Sequence, residues 1–345
     1  MNNSELINWL SENSGPVIKY RTTTELMDSQ NDLQPLVDDV FSIEKISSLL
    51  EKAKSINMRR YNSVHGMGLT LEGVIFRLLD YGLRKGIGLF DEVMNIIGKF
   101  VDNDNIQLAI KNLGEPGVGH GKEFCVANLI YSLLLLGGYY NPDVITFHKF
   151  QINSMYMLAK EMSTDIYLNE DELIGYPTRS GKWVEKPIIK PECWSNCFNF
   201  SLPSIHSIMC LVKFPNEYLD EDLRMKIDTI IKWVLDDSFQ DLPENYGLIY
   251  DSVAKSYYSL GWRPNLPCTE GFDSKRDRRK IMFYLDLMSH FSVARDSKWF
   301  KSCMQHLEQY RTPTGTYCFP SNYLPNIENS YYVNGTVMGC ENRRI

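Results

Sequence analysis

Five stretches of the chain repeat one arrangement of apolar and polar positions. An apolar run of helical period is followed by a short break. A second helical run carrying more charge comes next, and then a loop rich in Gly, Pro, Cys, His and aromatic residues. The apolar runs centre near Tyr20, Phe76, Tyr131, His206 and Phe283, at successive gaps of 56, 55, 75 and 77 residues. That cadence reads as a series of α-α hairpins.

The spacing predicts a short helix over 4–11, then apolar and charged partners at 17–27 and 35–54. Further pairs follow at 69–83 and 90–100, at 125–136 and 144–162, at 202–212 and 220–235, and at 279–291 and 297–310. An additional short helix is expected at 106–113, and 336–345 reads as a partial last repeat. Almost no stretch alternates as a strand does, and the long loops 163–200 and 240–278 are left for turns or short hairpins. A single hairpin of this kind leaves its apolar face uncovered, so neighbours must stack. Apolar first helices with amphipathic second helices imply an inner and an outer layer. The expected fold is all-α, an α/α toroid (barrel) of five to six helical hairpins with long rim loops, forming a single domain over 1–345. An open superhelix is the alternative, and the irregular spacing and long loops favour the ring.

Composition narrows the picture. A chain that is 43% hydrophobic over 345 residues buries a large core, and no Ser/Gly linker or low-complexity tract divides it. The formal net charge of -7 argues against a general nucleic-acid binder, and the basic cluster Lys275, Arg276, Arg278, Arg279 and Lys280 reads as a solvated helix start. The N-terminus lacks the order of a signal peptide, and the strongest apolar run, 126–136, is about half of what a bilayer span requires, so no membrane span is expected. Eight cysteines without a secretion signal fit reduced thiols and a cytoplasmic protein.

Several fragments carry a family resemblance. They are Leu202-Pro-Ser-Ile-His206 with Phe214-Pro215, Lys226 to Ile231 with Val234-Leu-Asp236, Gly261-Trp262 with Leu266-Pro267, Arg311 to Tyr317 with Phe319-Pro320, and the terminal Met338 to Arg344. Over most of 200–344 the chain resembles a group of uncharacterised bacterial proteins related to the terpenoid cyclase and protein prenyltransferase (squalene cyclase-like) α/α toroids. The resemblance implies the toroid more strongly than it implies a reaction. The cyclase acid motif Asp-x-Asp-Asp is absent, and Asp102-Asn-Asp104-Asn departs from it at the last position. Gln309 to Tyr317 is a loose version of the triterpene cyclase repeat motif. Asp236-Asp237-Ser-Phe-Gln-Asp241 has the look of an aspartate-rich Mg²⁺ motif, and equally of the charged end of an outer helix.

In such toroids the substrate enters where the outer helices hand over to the inner ones. Those loops collect this chain's unusual side chains: His65, His120 with Glu123, Trp194 with Phe198, Trp262 with Glu270, and Tyr332 with Glu341 and Arg343. Glu123, His206, Glu270 and Glu341 are candidate acids or bases. His65, His120, Trp194, Phe198, Tyr258, Trp262, Tyr317, Tyr332 and Arg343 are candidate substrate-binding residues, the aromatics offering π faces to a cationic or apolar ligand. Cys193, Cys197 and Cys268 form an alternative zinc set, although Cys193-x3-Cys197 alone is a weak signature. No cofactor is assigned, with zinc and Mg²⁺ both left open. The glycine-rich run 114–122 fails the spacing of a phosphate loop.

The expected function is that of a terpenoid cyclase/prenyltransferase-like protein, a cyclase/lyase or a transferase. It binds a small, largely apolar ligand or substrate of isoprenoid type in a central hydrophobic cavity, with its reaction open. A non-catalytic ligand-binding or sensing toroid and a zinc-dependent thiol-chemistry enzyme are the alternatives.

Overall fold

The computed structural model describes residues 3–27, 32–56, 64–66, 68–101, 121–194, 202–243, 245–251, 255–267, 275–313, 315 and 317–318. Of these, 100–101, 121–125, 194, 251 and 275–279 are described by backbone only. They are mostly helical, with one two-stranded sheet. The chain divides into two compact units: Met1–Phe100 with Pro267–Phe283 and Ser302–Ile345, and Val101–Leu266 with Tyr284–Lys301.

In the first unit α1 (Asn3–Asn13), α2 (Pro16–Leu26), α3 (Gln34–Phe41), α4 (Glu44–Ser55) and α5 (Leu71–Asp80) pack in sequence, each on the next. α6 (Gly88–Val101) follows, tied to α4 by the Lys54–Glu92 ion pair. The partner expected as one helix over 35–54 is two. Ser42 turns its hydroxyl back to Asp39 O at 2.6 Å, and Ile43 is extended (φ -74, ψ 107), so the chain bends. The bend lets Val40 and Ile46, on either side of it, both reach full burial. α5 is apolar almost all round: Leu71, Val74, Ile75 and Leu78 have no exposed surface, each contributing roughly 1.5–3 kcal/mol by burial. Thr70 caps it by accepting from Gly73 N, and it ends at Gly82 (φ +88), where Gly82 N and Leu83 N return to Leu79 O and Leu78 O. A Cβ at Gly82 would lie 2.9 Å from Arg21 and 3.0 Å from the Tyr20 ring, so this turn and α2 approach closely because residue 82 is glycine.

In the second unit α7 (Gly121–Leu136), α8 (Pro142–Ala159), α9 (Ile205–Lys213) and α10 (Glu221–Leu235) form two successive hairpins. α7 packs on α9 and α8 packs on α10, with α7 against α8, so the apolar members lie together and the charged members lie together. Side-chain caps set the starts: Asn141 accepts from Val144 N, Asp220 from Leu223 N, and Ser204 and Ser207 form a reciprocal capping box. α7 stops at Gly137-Gly138 through bonds from Gly138 N to Leu135 O and Tyr139 N to Leu134 O.

The loops hold the only sheet among the described residues. β1 (Gly247–Asp251) pairs antiparallel with β2 (Ser256–Leu260), Ile249 opposite Tyr258 and Tyr250 opposite Tyr257. The preceding loop joins it through Leu248 N to Pro187 O and Ile189 N to Leu248 O, both at 2.8 Å. α11 (Lys275–Ser289) and α12 (Lys298–Glu308) complete the longer helices among the described residues, which also hold one-turn helices at Pro191–Trp194, Asp237–Gln240 and Ser292–Arg295. Among the described residues, no helix is long and apolar enough to cross a membrane.

Candidate functional site

The best-defined group of predicted site residues lies in the second unit, at the start of α9. The pattern places His206 midway along a helix, but the helix begins at Ile205, so His206 is in its first turn. The reason is Pro203, which has no N–H to offer a preceding helical turn, followed by Ser204 in an extended conformation as cap. His206 is 2% exposed, and its ring meets the indole of Trp262 edge to face at 4.7 Å. Ile205 N donates to Trp262 O at 2.8 Å, which fixes the two segments in register.

Trp262 sits at φ +70, a conformation that bulky side chains rarely adopt and that costs on the order of 1–3 kcal/mol. Nearby Tyr246 is also left-handed (φ 46); it is buried, donates its hydroxyl to Pro203 O at 2.6 Å, and accepts at its own carbonyl from Tyr167 Oη at 2.6 Å. Burial holds the Tyr167 and Tyr246 hydroxyls well above the usual phenol range, so both act as neutral hydrogen-bonding groups. Arg263 is buried next in the chain, with Nη1 donating to Phe239 O (2.8 Å) and Gln240 O (3.2 Å). Tyr258, half-buried on β2 across from Ile249, belongs to the same unit.

A second chemically organised pair lies in the first unit. His65 Nδ1 is 2.8 Å from Glu72 Oε2, and the same oxygen accepts from Gly66 N at 2.7 Å. Glu72 is 1% exposed, whereas the His65 side chain is 28% exposed. A buried carboxylate on Nδ1 selects the tautomer that carries its proton there. Glu72 is missing from the candidates drawn from sequence, because an acid in the first turn of a helix reads as a dipole partner. The signal that would have found it is its surroundings: Glu72 shares its helix face with Ile75, Phe76 and Leu79, so an acid there must be buried and bonded.

Other candidates are placed apart from these groups. Tyr317 is 39% exposed and donates its hydroxyl to Glu308 at 2.5 Å, a surface contact. Cys193, from the zinc set, is buried, and burial with the adjacent Glu192 charge pushes its thiol up to about 11. Among the described residues, no three His, Cys, Asp or Glu side chains are grouped as metal ligands, and Cys193, Cys210, Cys303 and Cys318 are free thiols. Asp236, of the aspartate-rich run, is occupied as the cap of a one-turn helix, accepting from Ser238 N at 2.9 Å.

Glu123 lies on α7 and Trp194 on a one-turn helix, both described by backbone only. His120, Cys197, Phe198, Cys268, Glu270, Tyr332, Glu341 and Arg343 lie outside the described residues, as do the expected helix 106–113 and the partial repeat 336–345. Compared with known protein families, curated proteins and solved structures, the chain matches none.

Proposed function

We propose that the protein binds a small, largely apolar molecule of isoprenoid type against the wall formed by Trp262 and His206, within a ring of stacked helical hairpins. His206 serves there as the proton donor or acceptor. The observation that carries this reading is the strained Trp262 itself. A half-buried indole at φ +70, locked to the His206 helix by a backbone bond, is an aromatic surface held in place at a cost in energy. Backbone strain of this sort clusters at ligand-holding sites. The like-with-like packing of α7 on α9 and α8 on α10 supports the layered ring.

Tryptophan fluorescence during titration with farnesol and with octanol tests the binding. Saturable quenching is expected in the wild type and is weakened in Trp262→Ala. Absence of saturable binding of either alcohol to the wild type sinks the reading. Scattering tests the ring: a compact body of this length has a radius of gyration of about 20 Å, and an open superhelix is markedly larger.

A non-catalytic binder is the second reading, favoured by the 2% exposure of His206. His206→Gln separates the two. Binding kept with product formation lost supports the enzyme; the same binding with no turnover in the wild type supports the binder.

A further inference from the structure

The Arg263 guanidinium is a buried cation with two hydrogen bonds made from its five N–H donors. Nη1 is spent on the carbonyls of Phe239 and Gln240, at 2.8 and 3.2 Å. The opposite edge, formed by Nε and Nη2, makes no hydrogen bond to a described residue, and Nε is fully shielded from solvent. No carboxylate forms an ion pair with Arg263 among the described residues, Asp241 acting on it only through space. The Phe239 ring covers one side at 5.8 Å from the guanidinium carbon.

A helix-terminal cap explains Nη1 alone. Capping the carbonyls of Phe239 and Gln240 needs one nitrogen, which lysine supplies without burying a planar fork. An uncompensated interior charge costs several kcal/mol, and an unbonded buried N–H adds to it. What remains is an edge with two parallel N–H groups, the arrangement that receives both oxygens of a planar anion.

We infer that the Nε–Nη2 edge of Arg263 is a binding site for the carboxylate of a small organic acid. One fixed positive charge matches a monoanion; a phosphate monoester would bring a second, unmatched negative charge into the same interior. The site is independent of the Trp262–His206 reading.

The test uses the full-length protein, with thermal unfolding and isothermal titration against benzoate, benzyl alcohol, methyl phosphate and chloride at equal ionic strength. Benzoate is expected to bind saturably and raise the melting temperature beyond chloride. Arg263→Lys, which keeps the charge and a donor for the carbonyls, is expected to weaken benzoate by about tenfold or more. A benzoate effect no larger than that of chloride in the wild type overturns the proposal, and this measurement stands if the variant fails to fold. So does a benzoate affinity unchanged in a folded Arg263→Lys, and so does a preference for methyl phosphate over benzoate. Benzyl alcohol binding as well as benzoate also overturns it, while leaving the apolar reading above intact.

Discussion

At the scale of single residues, buried His148 and the Glu72–His65 pair each yield a measurement. His148 is 2% exposed between α7 and α8, with Nε2 3.2 Å from Tyr131 O and Nδ1 3.3 Å from Gln151 Oε1. Burial lowers its pKa from the ordinary 6.5 to about 4. The folded value lies below the unfolded one, so the unfolded chain takes up the proton first. Stability is therefore level above about pH 6.5, falls as the pH drops toward 4, and is level again below that. The total is about 3 kcal/mol, and His148→Gln flattens the slope; denaturant titrations at pH 7 and pH 5 measure both. The Glu72–His65 pair makes a different prediction. Glu72→Gln removes the charge that fixes the Nδ1 proton and costs about 1–3 kcal/mol. The ring ¹⁵N shifts of His65 are expected to move from a single tautomer in the wild type to a mixture in the variant. Unchanged shifts would mean that Glu72 does not set the tautomer.

At the scale of elements, one glycine sets how closely the hairpin and the loop before it approach. A Cβ at Gly247 would stand 2.5 Å from Pro187 O, the carbonyl that accepts from Leu248 N. Gly247→Ala is expected to cost about 1–3 kcal/mol by overpacking, read as a lower denaturation midpoint, with loss of the Tyr167–Tyr246 contact beside it. Helices were legible where one face repeats. Leu71, Val74, Ile75, Leu78 and Leu79 form a stripe in the sequence, and all are buried. The hairpin falls in the 240–278 loop, where turns or short hairpins are expected, but its strands were not legible: Tyr250 and Tyr257 share one face, Ile249 and Tyr258 the other, and all four are large, so no alternation of apolar with polar residues marks a strand. The break at Ser42-Ile43 was hidden for a related reason: apolar spacing continues through it, and only a local hydroxyl bond interrupts the helix. Among site residues, His206 and Trp262 were legible as unusual side chains beside Pro and Gly. Their contact was not, since 56 residues of sequence separation carry no periodic signal. Glu72 and the partly used fork of Arg263 depend on burial, which sequence shows only indirectly.

At the scale of the whole molecule, the repeated cadence of apolar and charged runs was the readable part, and the long loops between them were not. That division bears on the order of assembly. The helices close bonds four residues apart, whereas the site is stitched by bonds from Ile205 to Trp262, Tyr167 to Tyr246 and Tyr257 to Pro177, the last spanning 80 residues. Loop closure over such distances is paid for before it is rewarded, so these contacts form late in folding. In stopped-flow refolding, far-UV circular dichroism is expected to recover ahead of the near-UV aromatic signal. Simultaneous recovery would place the loop contacts in the nucleus. The strained Trp262 then has a consequence for anyone handling variants of this protein. Its φ of +70 is held by the Ile205 bond and by the neighbours that assemble last, so a weakened chain releases the strain first at this point. Such a variant would keep its helical spectrum and still have lost the His206–Trp262 arrangement.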